Sequence, residues 1–217
     1  MSKDLLSNYD RNKIDSTDDI LFYSQPRFVY HLDIFFRNRL TKLYSSQLNP
    51  NSIVLDMMSS WVSHLPNLKF KKVIGHGMNI QELEANKRLD SFWNQDLNKN
   101  QILPLENSSV DYCLIVAGWQ YLQFPELVSS EILRVLKPHG KFIISFSNRA
   151  FWNKSPNIWV NSDDQGRIDY ISRVLKSVGW KIDSVIAEYL KGQSLFSLFK
   201  SQSDPFFSVI ATKPSDL

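Results

Sequence analysis

Residues 103–148, LPLENSSVDYCLIVAGWQYLQFPELVSSEILRVLKPHGKFIISFSN, decide the fold. The centre of this stretch, Tyr112-Cys113-Leu114-Ile115-Val116-Ala117, is apolar at consecutive positions rather than alternate ones. A strand of that kind is covered on both faces, as in a parallel sheet sandwiched by helices. Pro125 suits a first helical turn, so PELVSSEILRVL is expected to be a helix. Lys137-Pro138-His139-Gly140 stops it. Gly140 is the expected left-handed residue there, and KFIISFS starts the next strand at once. Strand, helix, strand in this order implies a parallel crossover.

The same alternation extends outward. SIVLDM (52–57), KKVIGHG (71–77) and SFWNQD (91–96) are expected strands. NIQELEANKRL (79–89) is an expected helix capped by Asn79, and QGRIDYISRVLKSVG (165–179) is one ended by Gly179. KIDSVIAEYL (181–190) and PFFSVIATK (205–213) form two last strands. The insertion 191–204 that joins them carries no crossover helix, so the pair is expected to be antiparallel. Ahead of the first strand, residues 23–48 read as one helix, with Ser24 as cap, Pro26 near the first turn and His31 and Asp33 within it. The expected architecture is an α/β, Rossmann-like, seven-stranded sheet, mostly parallel with one antiparallel strand at or near its edge and helices on both faces. Residues 1–48 are expected to form an N-terminal extension and lid helix, and residues 49–217 the domain proper.

Composition narrows the function. The chain has 217 residues, 43% of them apolar, and 25 basic against 22 acidic residues, a net charge of +3. The charges are dispersed, which argues against a nucleic-acid stripe or a polybasic membrane patch. One cysteine, Cys113, lies inside the apolar run. That excludes a disulfide framework and a cysteine zinc site, and the four histidines show no ligand spacing. No segment has the apolar length of a membrane span, and a soluble, cytoplasmic protein is expected.

Leu103-Pro104-Leu105, Val110-Asp111 and Glu131-Ile132-Leu133-Arg134-Val135-Leu136-Lys137-Pro138 occur in an order and at a spacing that resemble class I S-adenosylmethionine-dependent methyltransferases. Val54-Leu55-Asp56 and Asn94-Gln95-Asp96-Leu97 fall where that family's first and third strands end. The resemblance covers roughly residues 50–213 and is closest to the branch acting on quinones and other small molecules. It implies S-adenosyl-L-methionine as cofactor, held by Asp56, Ser59, Ser60, Gly77, Asn79, Asp96, Leu97 and Gly118. Of these, Asn79 would meet the ribose, with Glu82 the nearest alternative acid, and Asp96 and the Leu97 amide would meet adenine. It also implies a small-molecule acceptor beside Trp119, Tyr121, Asn148 and Arg149, with no metal and no nucleic acid involved. A base for the acceptor would come from groups such as His64 or His76.

One departure matters. The family's first loop reads D-x-G-x-G-x-G, and here the glycine positions hold Met58, Ser60 and Val62. Met58 is expected to adopt ordinary backbone angles and change the turn, and Val62 to add bulk at the start of the following helix. Two readings stay open. Serine hydroxyls and helix-start amides replace the glycines, or Met57, Met58 and Trp61 fill the pocket and the protein is a catalytically inactive binding or assembly relative.

Overall fold

The structure, a computed structural model, describes residues 5–189 and 203–215. Most of the insertion at 191–204 lies outside these residues. Seven strands form one sheet: β1 (Ile53–Met57), β2 (Lys72–Gly77), β3 (Ser91–Asn94), β4 (Val110–Val116), β5 (Leu136–Phe146), β6 (Lys181–Glu188) and β7 (Phe206–Thr212). Their order is β3-β2-β1-β4-β5-β7-β6. β1 to β5 pair in parallel, and β7 lies antiparallel between β5 and β6. The expected antiparallel strand is therefore found one place in from the edge.

Helices cover both faces. Along β4, Cys113 and Ile115 point into a cluster with Val128 and Ile132 of α5 (Pro125–Val135) and Ile171, Val174 and Leu175 of α7 (Asp164–Val178). Tyr112 and Leu114 point the other way, onto Phe36, Leu40 and Leu43 of α3 (Ile34–Gln47). The apolar run thus resolves into two faces with the strand's period of two. Gly179 ends α7 in the left-handed conformation, φ 104°.

Four expectations change. First, the long N-terminal helix begins only at Ile34, where the Asp33 side chain accepts from the Phe36 amide at 2.8 Å. Pro26 disfavours helix in the residue before it, and residues 24–33 instead run as a non-helical strap after two short turns of helix, Asn8–Arg11 and Asp19–Phe22. His31 is on the strap and Asp33 is the cap. Second, the helix capped by Asn79 spans only Ile80–Ala85 (α4). Third, no helix joins β1 to β2. Ser59, Ser60 and Ser63 spend their hydroxyls locally, which competes with helical backbone bonding. Fourth, the left-handed residue after α5 is His139, φ 63°, not Gly140. Gly140 is required for space: a Cβ there would lie 2.8 Å from the Lys137 carbonyl and 3.0 Å from that of Asp111.

Candidate functional site

The strand order reverses between β1 and β4, and an open α/β sheet holds its ligands at the carboxyl ends of the strands beside such a point. A cavity of about 380 Å³ lies there, within the size range of small-ligand sites.

The loop after β1 forms its floor. Met58 takes φ 53°, the left-handed geometry that a glycine would take freely. The expectation of an ordinary turn at Met58 is therefore wrong: the turn survives and carries strain of roughly 1–2 kcal/mol. Its neighbours make the conformation tenable. The Met58 amide donates to His76 Nδ1 at 3.1 Å, and the Ser59 amide donates to the His76 carbonyl at 2.7 Å. His76 Nε2 donates to the Gln95 carbonyl at 3.0 Å, which fixes the neutral tautomer. Burial pushes the His76 pKa down to about 4, so His76 holds the loop and is no candidate base. Glycines make room elsewhere. A Cβ on Gly77 would lie 2.5 Å from the Ser59 carbonyl, and one on Gly118 would lie 2.8 Å from Met58 Cβ. The close approach these glycines permit is protein to protein.

Asp56 closes β1 inside this framework. Its carboxylate accepts from Ser59 Oγ at 2.8 Å and from Ser63 Oγ. Asn86 Nδ2 bonds the Ser60 carbonyl at 2.9 Å and Ser63 Oγ at 3.0 Å. Burial raises the Asp56 pKa to about 6, against the lowering effect of the two serines. A cationic ligand beside it would favour the ionised form. The Trp61 ring lies outside the cavity lining, 4.8 Å from Tyr30, with Nε1 donating to the Val29 carbonyl at 3.1 Å. Met57 is core and Trp61 pins the strap, so neither blocks the crevice.

All eight expected cofactor residues line the cavity, but their side chains are not equally available. Asn79 caps α4 through Oδ1 and donates both amide hydrogens, to the Tyr23 and Ser24 carbonyls at 2.9 and 3.2 Å. Asn79 therefore offers a ribose no donor. Glu82, one turn on, also lines the cavity, and its Oε1 accepts from the Arg27 amide at 2.6 Å. Asp96 Oδ1 caps its own turn through the Asn98 amide at 2.9 Å.

The expected acceptor residues divide. Tyr121 and Arg149 line the cavity. Trp119 does not: it is 1% exposed and packs on Phe142. Asn148 is exposed and outside the lining. The segment after β4 makes a turn of 3₁₀ helix at Trp119–Tyr121, which sends Trp119 inward and Tyr121 to the ligand side, and a bend after β5 leaves Asn148 exposed. Sequence reading also missed Gln120. Its Nε2 donates to the Arg149 carbonyl at 3.3 Å, and its buried Oε1 has no partner among the described residues. The strap contributes Arg27, Tyr30 and His31, which the reading of one long helix had hidden, with Tyr23 just before it and Arg37 on α3. Segment 13–19 is anchored over this edge by Lys154, which is 1% exposed and bonds the Thr17 carbonyl at 2.8 Å, and by the Lys13–Asp19 pair at 2.6 Å.

The donor set fits most of S-adenosylmethionine. Asp56 suits its cationic amino-acid end, Glu82 a ribose diol, and the pocket around Asp96 and Leu97 an adenine ring. It differs from the family pattern at the cofactor's carboxylate. No helix N-terminus follows β1, and the amides of Met58, Ser59 and Trp61 are already bonded within the protein.

Comparison with known proteins places this geometry. The sequence profile of a family described as a methyltransferase domain matches residues 61–144. No curated protein matches the chain in sequence. Among solved structures, a SAM-dependent methyltransferase from Aquifex aeolicus superposes with a TM-score of 0.57 at 17% identity, over 90% of this chain and 97% of that one. The [4+2]-cyclase SpnF gives 0.60 at 14% identity, over 82% and 81%. A structure of the Haloferax volcanii Trm112 methyltransferase activator in complex with a protein assigned as a methyltransferase gives 0.57 at 14%, over 83% and 90%. Identities this low establish a shared fold and nothing finer. No helix among the described residues is long and apolar enough to cross a membrane.

Proposed function

We propose that the chain is a class I S-adenosylmethionine-dependent methyltransferase that transfers the methyl group of that cofactor to a small, flat acceptor molecule; the methyltransferase-domain match over residues 61–144 and the shared fold support this reading. The observation that carries this reading is the open cavity at the β1/β4 switch point, which all eight residues expected to meet the cofactor line. When bound, the cofactor supplies an electrophilic methyl group on a sulfonium. The protein's part is to hold, orient and shield. Asp56, Glu82, Asp96 and Leu97 hold the donor. Tyr121 and Phe151, stacked at 6.0 Å with 29° between their planes, give the acceptor an aromatic wall. The unpartnered Gln120 Oε1 accepts from an N–H or O–H of that molecule.

His31 takes the acceptor's proton. Its ring lies edge-on to Phe151 at 5.7 Å, and it is neutral near pH 7 because desolvation lowers its pKa. Glu82 favours the imidazolium that then forms. The strap roofs the cavity with Tyr23, Tyr30 and His31, which suits a small molecule rather than a polymer. A second reading, a non-catalytic binding protein of the same fold, draws support from the spent loop amides.

Methyl-tritiated cofactor incubated with the protein and a cell extract separates these readings. Label in the small-molecule fraction is expected, reduced about 10²–10⁴-fold by His31→Ala. Label in the protein or nucleic-acid fraction would overturn the acceptor class. No transfer in any fraction would favour the second reading.

A further inference from the structure

We propose that Arg37 of the N-terminal helix is the anchor for the carboxylate of the cofactor's methionine moiety, beside a loop whose Met58, Ser59 and Trp61 amides are already bonded within the protein. The inference rests on the cofactor assignment above. It begins from a deficit. The amides of Met58, Ser59 and Trp61 bond to His76 Nδ1, the His76 carbonyl and Ser60 Oγ. The connection that follows is not helical. Three of the loop's amides are therefore committed within the protein, and no helix N-terminus adds a favourable dipole at the floor of the cavity. Asp56 adds a negative charge there once ionised, so a ligand carboxylate at this end needs a cation.

Three arginines line the cavity, and their surroundings differ. Arg149 pairs with Asp204 through Nε. Arg27 bonds the Phe22 carbonyl, is ringed by Phe22, Tyr23 and Phe151, and shares its surroundings at Tyr23 with the acids Asp19 and Glu82. Arg37 has no carboxylate partner among the described residues. Its one side-chain bond is a long 3.4 Å contact from Nε to the Asp33 carbonyl. Its guanidinium lies 3.7 Å from the centre of the Tyr30 ring, which fixes its plane without using its donors. One turn along the same helix, Thr41 Oγ1 donates to the His64 carbonyl at 3.0 Å and to the Arg37 carbonyl at 3.1 Å, which places this stretch of the helix beside the loop after β1. His64 is already held neutral by burial, with a pKa lowered to about 4, and so supplies no competing cation. A planar guanidinium with open N–H groups is matched to a carboxylate.

A double comparison of ligand and residue tests this. Titration calorimetry measures wild type, Arg37→Gln and Arg37→Lys with S-adenosylmethionine and with decarboxylated S-adenosylmethionine, which keeps the sulfonium, amine and adenosine. Arg37→Gln is expected to weaken the complete cofactor about ten- to hundredfold and to leave the decarboxylated form within about twofold, with Arg37→Lys intermediate. Equal weakening of both ligands, or of neither, overturns the carboxylate role. Binding of the decarboxylated form to Arg37→Gln shows that the variant is folded. If wild type binds neither ligand, the cofactor assignment itself falls, an outcome distinct from a failed arginine.

Discussion

Between Val110 and Phe146 the chain is held by side-chain burial: Val110, Cys113, Ile115, Val128, Ile132, Phe142 and Ile144 are 0% exposed. Between Met58 and Lys71, in the connection from β1 to β2, it is held by polar bonds contributed from elsewhere. His76 receives one amide and offers its carbonyl to another, Asn86 bridges Ser60 and Ser63, and Arg88 Nη2 reaches the Pro66 carbonyl at 2.9 Å. The first region follows from the periodicity of its own residues. The second follows from partners up to 30 residues away. The same sheet thus contains a segment that specifies itself and a segment that is specified by its surroundings, and the ligand cavity rests on the latter.

Substitutions should separate the two regimes. Phe142 is fully buried between Trp119 and Trp180. Phe142→Ala is expected to cost about 3–5 kcal/mol in chemical denaturation. A loss below 1 kcal/mol would mean that burial does not hold this segment. Gly77→Ala should cost about 1–3 kcal/mol, because its Cβ would meet the Ser59 carbonyl, a backbone atom that cannot swing aside. It should also weaken cofactor binding, whereas Phe142→Ala, if still folded, should spare it. Unchanged stability in Gly77→Ala would place the loop farther from β2 than described.

This contrast also explains what was legible. The seven strands, the antiparallel closing pair and the burial of Cys113 follow from apolar runs and turn residues whose partners are local. All eight residues expected to meet the cofactor line the cavity, because topology brings the segments after the strand ends to the crevice, although the Asn79 side chain is consumed as a cap. Trp119 and Asn148 were misplaced because a single turn of 3₁₀ helix and one bend decide which way they face. The strap stayed hidden because the apolar spacing of residues 28–43 is helical throughout, while Pro26 and the Asp33 N-cap make the helix start late, at Ile34. The left-handed conformations of Met58 and His139 carry no sequence signal, since both residues are held by bonds from other elements.

Proton linkage tests the polar regime as a whole. His64 and His76 have pKa values lowered to about 4, so each favours the folded state above about 6.5 and withdraws that support as pH falls toward 4. Asp56, raised to about 6, acts in the opposite sense and gains stability over the same fall. Two protons favour the unfolded chain and one favours the folded chain, so these groups should make stability rise by about 1.4 kcal/mol per pH unit between roughly pH 4 and 6. His64→Gln should reduce the measured slope by about 1.4 kcal/mol per pH unit in that range. An unchanged slope in the variant would show that His64 titrates normally. The smallest effect concerns the loop itself. Met58→Gly exchanges relief of backbone strain for lost side-chain packing against the core beside Gly118, and stability should change by less than about 1 kcal/mol. A loss of several kcal/mol would mean that Met58 belongs to the self-specified core.

The central claim is that a loop without glycine still leaves an adenosyl-sized cavity at the β1/β4 switch point. Calorimetric titration of the wild-type protein with S-adenosylmethionine at pH 7.5 tests it most directly. The account predicts saturable one-to-one binding, with thermal stabilisation that grows with ligand concentration. No heat and no thermal shift at millimolar cofactor would contradict it.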